Sequence, residues 1–544
     1  MKIGIRPSIV ISIILSIAPC AQAQDEMARP ALSGSMGSVT IGQEQFYRLS
    51  MRPDIPVGRW GFALDIELFI DSDGDVSARG WRFGSSTEAL DSFLRKIYYV
   101  RYGRPSDPIY FKIGALDRVG LGYGLIMSDY RNTLQYPGIK KTGVQFRFEE
   151  IAGSPLGIEG VVNNIQDFQQ GGGLVGLRAF ARAVGKLELG VTYVVDLDQY
   201  SGLRDRDGDG FPDEVDAFPA NSELALDNDG DGVPDEIDSD DDNDGAIDID
   251  SESGIPPAVA ATLEQLNADY GDAFAVDTEV SRRKPFNRDL VGRDRFAILG
   301  FDAGYPLSER EALQLKLYGQ FALLVDDEDD LSAFEANAQG LVPGNRRAEG
   351  WGIAAPGLWL RAGPLDGQIE FRHFRDDFDA RYFDELYELD RARIDIASGR
   401  ARAKDALLVQ SDPLSGVFGR LGADLGAYLY ASAAYQYLSG SDDPKQQLLT
   451  NVHLAPALLK SIPRLTRARA YYQKNNIGAR LNEKGTGSDG FFEPTEDAFY
   501  GYELGLEMSS GVNVLWDTRF VFERDANRQL RSRKIMTIET VFTF

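Results

Sequence analysis

Apolar and polar side chains alternate with a period of two along much of this chain. From Trp60 the apolar set is Trp60, Phe62, Leu64, Ile66 and Leu68, interleaved with Arg59, Ala63, Asp65 and Glu67. Val144, Phe146 and Phe148 alternate with Gln145, Arg147 and Glu149, and Leu313, Leu315, Leu317, Phe321 and Leu323 with Gln314, Lys316, Tyr318 and Gln320. Near the end, Val512, Val514, Trp516, Phe520 and Phe522 alternate with Asn513, Asp517, Arg519 and Glu523. A two-residue period places each set on its own face of a strand. The runs exceed the roughly five or six residues usual for a soluble strand.

The connections between these runs sort by length. Short turns are expected at Pro53–Gly58, Arg104–Asp107, Gly153–Leu156, Ala183–Lys186, Pro306–Glu309, Gly363–Asp366, Ser461–Arg464 and Ser509–Gly511. Between them fall mostly long polar connections, at 72–92, 118–141, 198–292, 326–349, 376–415 and 476–498, with shorter ones near 164–173, 439–449 and 525–533. A soluble antiparallel sheet with one wet face explains the alternation but not the sorting. Tight turns on one rim and long loops on the other predict an all-β fold, a closed antiparallel transmembrane β-barrel of about 16–20 strands, with 18 the best match. Segment counting gives about nineteen, an odd number where single-chain bacterial barrels are usually even. Either Gly42-Gln43 closes a hairpin that splits the first segment, or the weak segment near 416–424 is no strand.

Both ends fit export to an outer membrane. Lys2 and Arg6 precede the apolar run Ile9–Ala18, and Ala21-Gln22-Ala23 offers a small-x-small cleavage site, so residues 1–23 are expected to be a signal peptide cut after Ala23. A lipoprotein reading of Cys20 is disfavoured by Pro19 directly before it. Cleavage removes the only cysteine. At the other end Met536, Ile538, Phe542 and Phe544 share one face of the last strand, and Phe544 is the final residue. A terminal Phe on an amphipathic strand resembles the assembly signal of bacterial outer-membrane proteins, although Glu539 and Thr540 stand where a glycine is often found. The expected location is the bacterial outer membrane, with lipid as the surrounding partner.

Charge changes the picture at one place. Of the formal −27, a net −18 lies between Asp205 and Asp250, where 19 acidic residues meet one basic residue, Arg206. The remaining −9 is spread thinly, and nothing points to nucleic acid. Inside the acidic stretch Asp205-Arg-Asp207-Gly-Asp209-Gly-Phe211-Pro-Asp213-Glu-Val-Asp216 is echoed by Asp227-Asn-Asp229-Gly-Asp231-Gly-Val233-Pro-Asp235-Glu-Ile-Asp238. A third unit holds Asp240, Asp242, Asp244, Gly245 and Asp248. Carboxylates at positions 1, 3 and 5 of a tight loop converge, glycine at 6 allows the turn, the carbonyl of 7 adds an oxygen, and positions 9 and 12 complete a calcium shell. These residues resemble thrombospondin type 3 repeats, which implies calcium as the bound ion and a backbone wrapped around it. In the third unit position 12 would be Ser251. The expected organisation is barrel over 24–200, a surface insertion over 201–292 with its repeats at 205–250, and barrel again over 293–544. A short helix is expected over Pro256–Tyr270, and helix or continued strand near 376–395.

With apolar residues facing lipid, Asp65, Glu67, Gln145, Arg147, Glu149, Glu188, Lys316, Glu370, Arg372, Glu503, Glu507, Asp517 and Arg519 face the lumen. That set suits a hydrated pore and equally a barrel plugged by its own loops. The 118–141 connection, with Gly-Leu-Gly-Tyr-Gly-Leu before Arg131, Lys140 and Lys141, either folds inward or extends the strands outward. Of two histidines, His373 shares the apolar parity, and no catalytic or phosphate-binding motif stands out, so no enzyme is expected. The expected function is a porin-like channel for small polar solutes with a calcium-organised surface loop. The alternative is a barrel-anchored scaffold or adhesin whose calcium loop binds a surface partner.

Overall fold

The structure is a computed structural model. It describes residues 31–543 except 42–43, 72, 78–80, 82, 85–88, 90–91, 137–138, 206, 220, 250–254, 271–274, 278–284, 292, 327–346, 396–398, 409–411, 441–443, 479–489 and 525–529. The expected signal peptide, the terminal Phe544, Ser251 and the Gly42-Gln43 turn lie outside the described residues.

Twenty antiparallel strands among the described residues form one closed barrel. They are β1 (Ala31–Ile41), β2 (Glu44–Val57), β3 (Trp60–Leu64 resuming as Ile66–Ile70), β4 (Ile97–Tyr102), β5 (Ile109–Gly114), β6 (Gly143–Phe148) and β7 (Leu156–Val162). There follow β8 (Leu174–Val184), β9 (Leu187–Asp196), β10 (Phe296–Arg310), β11 (Leu313–Asp326), β12 (Gly350–Ala362) and β13 (Leu365–Asp376). The last are β14 (Leu414–Asp424), β15 (Leu429–Ser439), β16 (Lys445–Leu454), β17 (Leu465–Ile477), β18 (Ala498–Ser509), β19 (Val512–Arg524) and β20 (Leu530–Thr543). Each pairs with its chain neighbour, and β20 returns to β1 from Ser33↔Thr543 to Ser38↔Ile538. At this seam a Cβ on Gly37 would sit 2.0 Å from the Ile538 carbonyl oxygen, so only glycine fits there. Closure leaves no edge strand exposed.

The best match of 18 strands is therefore corrected to 20. The first segment is two strands joined at Ile41↔Glu44, and 414–424 is a full strand turning through Leu425–Tyr428 into β15. The turn expected at Pro306–Glu309 is instead strand. β10 runs on to Arg310, and the register shifts between Pro306 and Ser308. Proline cannot donate to the ladder, and a bulge absorbs that loss without ending the strand.

The faces are inverted relative to a soluble protein. Phe62, Leu68, Leu177, Val191, Phe301, Ile369, Phe371, Val417 and Leu504 are exposed, while their neighbours Asp65, Glu67, Arg178, Thr192, Asp302, Glu370, Arg372 and Glu503 are buried. An apolar band around the whole circumference marks a lipid-facing surface. No helix among the described residues is long and apolar enough to cross a membrane. Inside, the charges are paired. Arg178, 3% exposed, donates to both oxygens of Asp302 at 2.9 and 2.6 Å, to Glu159 at 3.2 Å and to Glu188 at 2.9 Å. Arg178→Met leaves three carboxylates facing one another and costs about 3–5 kcal/mol, as for a buried pair broken from one side. The expected result is a lower urea midpoint in the β-sheet circular dichroism of micelle-held protein, partly restored by adding Asp302→Asn.

Candidate functional site

Two long connections on the same rim fold into the lumen. The first, residues 115–142, leaves β5 at Gly114. Its Leu116, Val119, Leu121, Leu125, Ile126, Met127 and Tyr130 are buried, and the chain turns between them at Gly122 (φ +60°) and Gly124 (φ +88°). The second, residues 377–413, contributes buried Phe378, Tyr382, Phe383 and Tyr387. The two are hydrogen-bonded together: Arg381 N donates to Leu125 O at 2.7 Å, Phe383 N to Ile126 O at 3.3 Å, and Ser128 N to Phe383 O at 3.3 Å. Their apolar core extends onto Val161, Val194, Ile298, Leu324, Phe374 and Leu438, residues at the long-loop ends of β7, β9, β10, β11, β13 and β15. Here the barrel wall is apolar on its inner face as well, because the inserted loops supply apolar partners. The 376–395 region is neither long helix nor continued strand. It is a turn-rich segment with one short helix, Tyr387–Asp390, leading into Ala392–Asp395.

Polar ties fasten the first segment around the wall. Gly122 N donates to Glu159, Leu125 N to Gln320 at 3.1 Å, and Gln368 Nε2 to Tyr123 O at 3.2 Å. Tyr123 stacks on Tyr318 with centroids 4.4 Å apart. Opposite, the Tyr136 hydroxyl and Lys140 Nζ each reach Asp65 at 2.9 Å, Arg52 reaches Tyr136 at 2.7 Å, and Arg519 donates to Leu134 O. Lys141 and Tyr130 both hold Glu388 of the second segment. Lys140 and Lys141 are thus buried anchors. Of the expected lumen set, Asp65, Glu67, Glu370, Arg372 and Glu503 are buried inside, whereas Glu507 is exposed. His373 accepts or donates at Ser415 Oγ, 2.8 Å away, and takes no part in the closure.

Between the inserted loops and the β13–β18 wall lies a partly open cavity. Arg118, Arg372, Arg381 and Arg420 line it together with Asp129 and Glu385.

The acidic insertion sits on the same rim, between β9 and β10. In its three units the carboxylates of Asp205, Asp207 and Asp209, of Asp227, Asp229 and Asp231, and of Asp240, Asp242 and Asp244 converge, with ligand atoms all within 4.8 Å in each trio. The backbone repeats with the sequence. The position-1 carboxylate accepts from the amide of position 6 in every unit, at 3.0 Å from Gly210, Gly232 and Gly245. Those glycines hold φ of +92°, +93° and +89°, which side chains disfavour. The position-9 amides of Asp213, Asp235 and Asp248 return to the carbonyls of Arg204, Leu226 and Ser239. Phe211 and Val233 each donate their amide to the position-5 carboxylate.

The donor set suits a hard cation. Both oxygens of Asp207, one of Asp229 and one of Asp216 are buried without a hydrogen-bond partner, which native structures rarely tolerate. Burial, with Asp209 and Asp207 alongside, pushes the Asp216 carboxyl up to about 6, and Asp209 is raised by burial first and then by the neighbouring Asp207 and Asp205. A cation would relieve that. The outlying positions are less uniform: Asp213 lies 3.2 Å from Arg204, Asp238 accepts from Asp240 N at 3.0 Å, and Asp235 and Asp248 accept from Asn228 N and Asp241 N at 2.8 Å. The expected helix is present as α1 (Pro257–Tyr270), with no buried residue.

A continuous set of contacts joins this insertion to the inserted loops. Arg288 N donates to Gly210 O at 2.7 Å, and Phe286 N to Gly399 O at 2.8 Å. Phe286 packs with Tyr200 and with Ala401 and Ala403 of the hairpin Ala392–Asp395/Arg400–Ala403. At the hairpin's base Arg391, fully buried, donates to Asp196 at 2.7 Å, to Asp167 at 3.2 Å and to Asp198 O at 3.1 Å. Tyr387 reaches Asp196 at 2.6 Å and Tyr382 reaches Gln199 at 2.7 Å. Sequence reasoning missed Arg381, Arg391, Asp196 and Glu388. The available signal was the density of aromatics from Phe378 to Tyr387, unusual for a loop in water.

The fold defines a membrane-spanning β-barrel with two of its own loops folded into the lumen. No protein-family model matches the chain, and no curated protein matches it. Among solved structures it is similar to Wzi, an outer-membrane protein involved in group 1 capsule assembly in Escherichia coli, at 10% identity over 95% of this chain and 84% of that one, with a TM-score of 0.28. It is also similar to OccK8 of Pseudomonas aeruginosa, at 8% identity over 95% and 97%, TM-score 0.30. The siderophore receptor PirA of Acinetobacter baumannii gives 9% over 96% and 81%, TM-score 0.29. Likeness at this level carries no argument about activity.

Proposed function

We propose that this protein is an outer-membrane channel for small polar solutes, held shut by two of its own loops, with a calcium-organised surface insertion fastened to one of them. The observation that carries the reading is the first inserted segment, tied to β3, β7, β11, β13 and β19 at once while leaving a polar cavity beside it. An anchor has no need of such a cavity. Purified protein in planar bilayers is expected to show rare, brief openings rather than the steady steps of an open porin. Complete electrical silence, also after excision of the inserted loop, would contradict it.

Calcium fills the three Asp trios in this reading and stiffens the insertion against its own repulsion. Calcium is expected to protect residues 205–250 from proteolysis and EGTA to expose them, with protection abolished by Asp205→Ala, Asp227→Ala and Asp240→Ala together. An identical digestion pattern with and without calcium would contradict the assignment. A surface scaffold is the second reading, favoured by Ile237 and Tyr270, which stand 71% and 73% exposed on the insertion. It predicts calcium-dependent partner binding, lost on deleting 203–252, and no conductance.

A further inference from the structure

We infer that the cavity between the inserted loops and the β13–β18 wall is a binding site for a small hydroxylated carboxylate, of the sugar-acid class. This rests on the channel reading for its purpose, but its geometry stands by itself.

The lining is cationic on balance, four guanidiniums against two carboxylates, and those carboxylates are engaged. Glu385 is held by Arg131 at 2.6 Å, and Asp129 lies 3.5 Å from both Arg381 and Arg420. Arg381 is the decisive group. It is 4% exposed, yet its Nε is buried without a hydrogen-bond partner, and its buried Nη2 meets only the Asp129 carboxylate, as an ion pair at 3.5 Å rather than a hydrogen bond. A buried guanidinium with open donors is costly unless an anion completes it, and its planar fork matches a carboxylate with two parallel bonds.

Unmet acceptors stand across the same space. Asn451 Oδ1 and Gln473 Oε1 are buried without partners, and Gln473 is fixed by donating its amide to Asp384 at 3.0 Å. These oxygens want donors, which hydroxyl groups supply and a bare carboxylate or phosphate does not. Three non-glycine lining residues, Arg118, Asp129 and Arg381, also hold left-handed backbone at φ +54°, +57° and +58°. Such conformations persist where the surroundings over-determine them and gather at ligand sites.

The test is calorimetric titration of the full chain in micelles with galacturonate, galactose and inorganic phosphate. Galacturonate is expected to bind, and Arg381→Gln to weaken it by about tenfold or more, the worth of a charge-assisted bidentate contact. Arg420→Gln, less buried, provides a second variant should Arg381→Gln fail to keep the β-sheet spectrum. Galactose binding as tightly as galacturonate, phosphate competing equally, or neither variant changing affinity would overturn the proposal. Binding without conductance would sink the channel reading and leave the site standing. Conductance with no galacturonate binding would do the reverse.

Discussion

Excising residues 118–132 is expected to turn a closed barrel into a steadily conducting one. The cut ends already meet: Asn132 N donates to Leu116 O, and Thr133 Oγ1 reaches Asp117 at 3.1 Å, so a short Gly-Ser linker closes the gap without pulling on β5 or β6. The excision removes Leu121, Leu125, Ile126, Met127 and Tyr130 from the apolar core. Phe378, Tyr382 and Phe383 on the second segment then lose their facing partners, and the segment loses its backbone bonds to Leu125 and Ile126. Around the wall, Glu159, Gln320 and Gln368 become water-lined, as suits polar lumen residues. The strand ladders are untouched, so the urea midpoint should move little while planar-bilayer recordings change from brief events to long-lived steps. Unchanged recordings from a correctly folded variant would show that the inserted segment is not the barrier.

Arg391→Met should have the second-largest effect, and a local one. Arg391 and Asp196 are both fully buried, and the same guanidinium reaches Asp167 and the Asp198 carbonyl. Removing the cation leaves Asp196 charged and uncompensated in the interior, at a cost of about 3–5 kcal/mol. That cost falls on the clasp joining hairpin, insertion and second inserted segment, not on the barrel ladders. Amide hydrogen exchange over Tyr382–Arg391 should accelerate by roughly a hundredfold or more, the factor corresponding to that cost. Adding Asp196→Leu should restore much of the protection, since replacing both members of a buried pair is far milder than removing one. Unaltered exchange would mean the clasp does not hold the segment.

The barrel was legible because its signal is distributed. Each strand repeats the same two-residue rule, so the error at Pro306 only moved a turn by a few residues, and the split of the first segment changed the count without changing the architecture. The insertion was legible because its loops are local: Asp205, Asp207 and Asp209 converge through bonds spanning a few residues, and the sequence repeat is the structural repeat. The closure was not legible in the same way. Arg391 meets Asp196 across nearly two hundred positions, and Tyr123 meets Tyr318 across a similar span. No periodicity records such pairings. What the sequence did show was an inconsistency, apolar and aromatic side chains inside nominally polar loops, and the inserted core is its physical resolution. Inward-facing Val194, Ile298 and Phe374 follow from it, since polarity alternates along a strand only where one face meets water.

Residues 115–136 and 139–142 lie inside the barrel. Cys20, the only native cysteine, falls in the predicted signal segment, so single cysteines can report position directly. Met127→Cys places a thiol at a fully buried point of the inserted segment, and Tyr270→Cys places one on the exposed helix α1. On intact cells treated with a membrane-impermeant maleimide, Tyr270→Cys should label promptly and Met127→Cys only after unfolding in urea. Equal labelling of the two on folded protein would contradict the account.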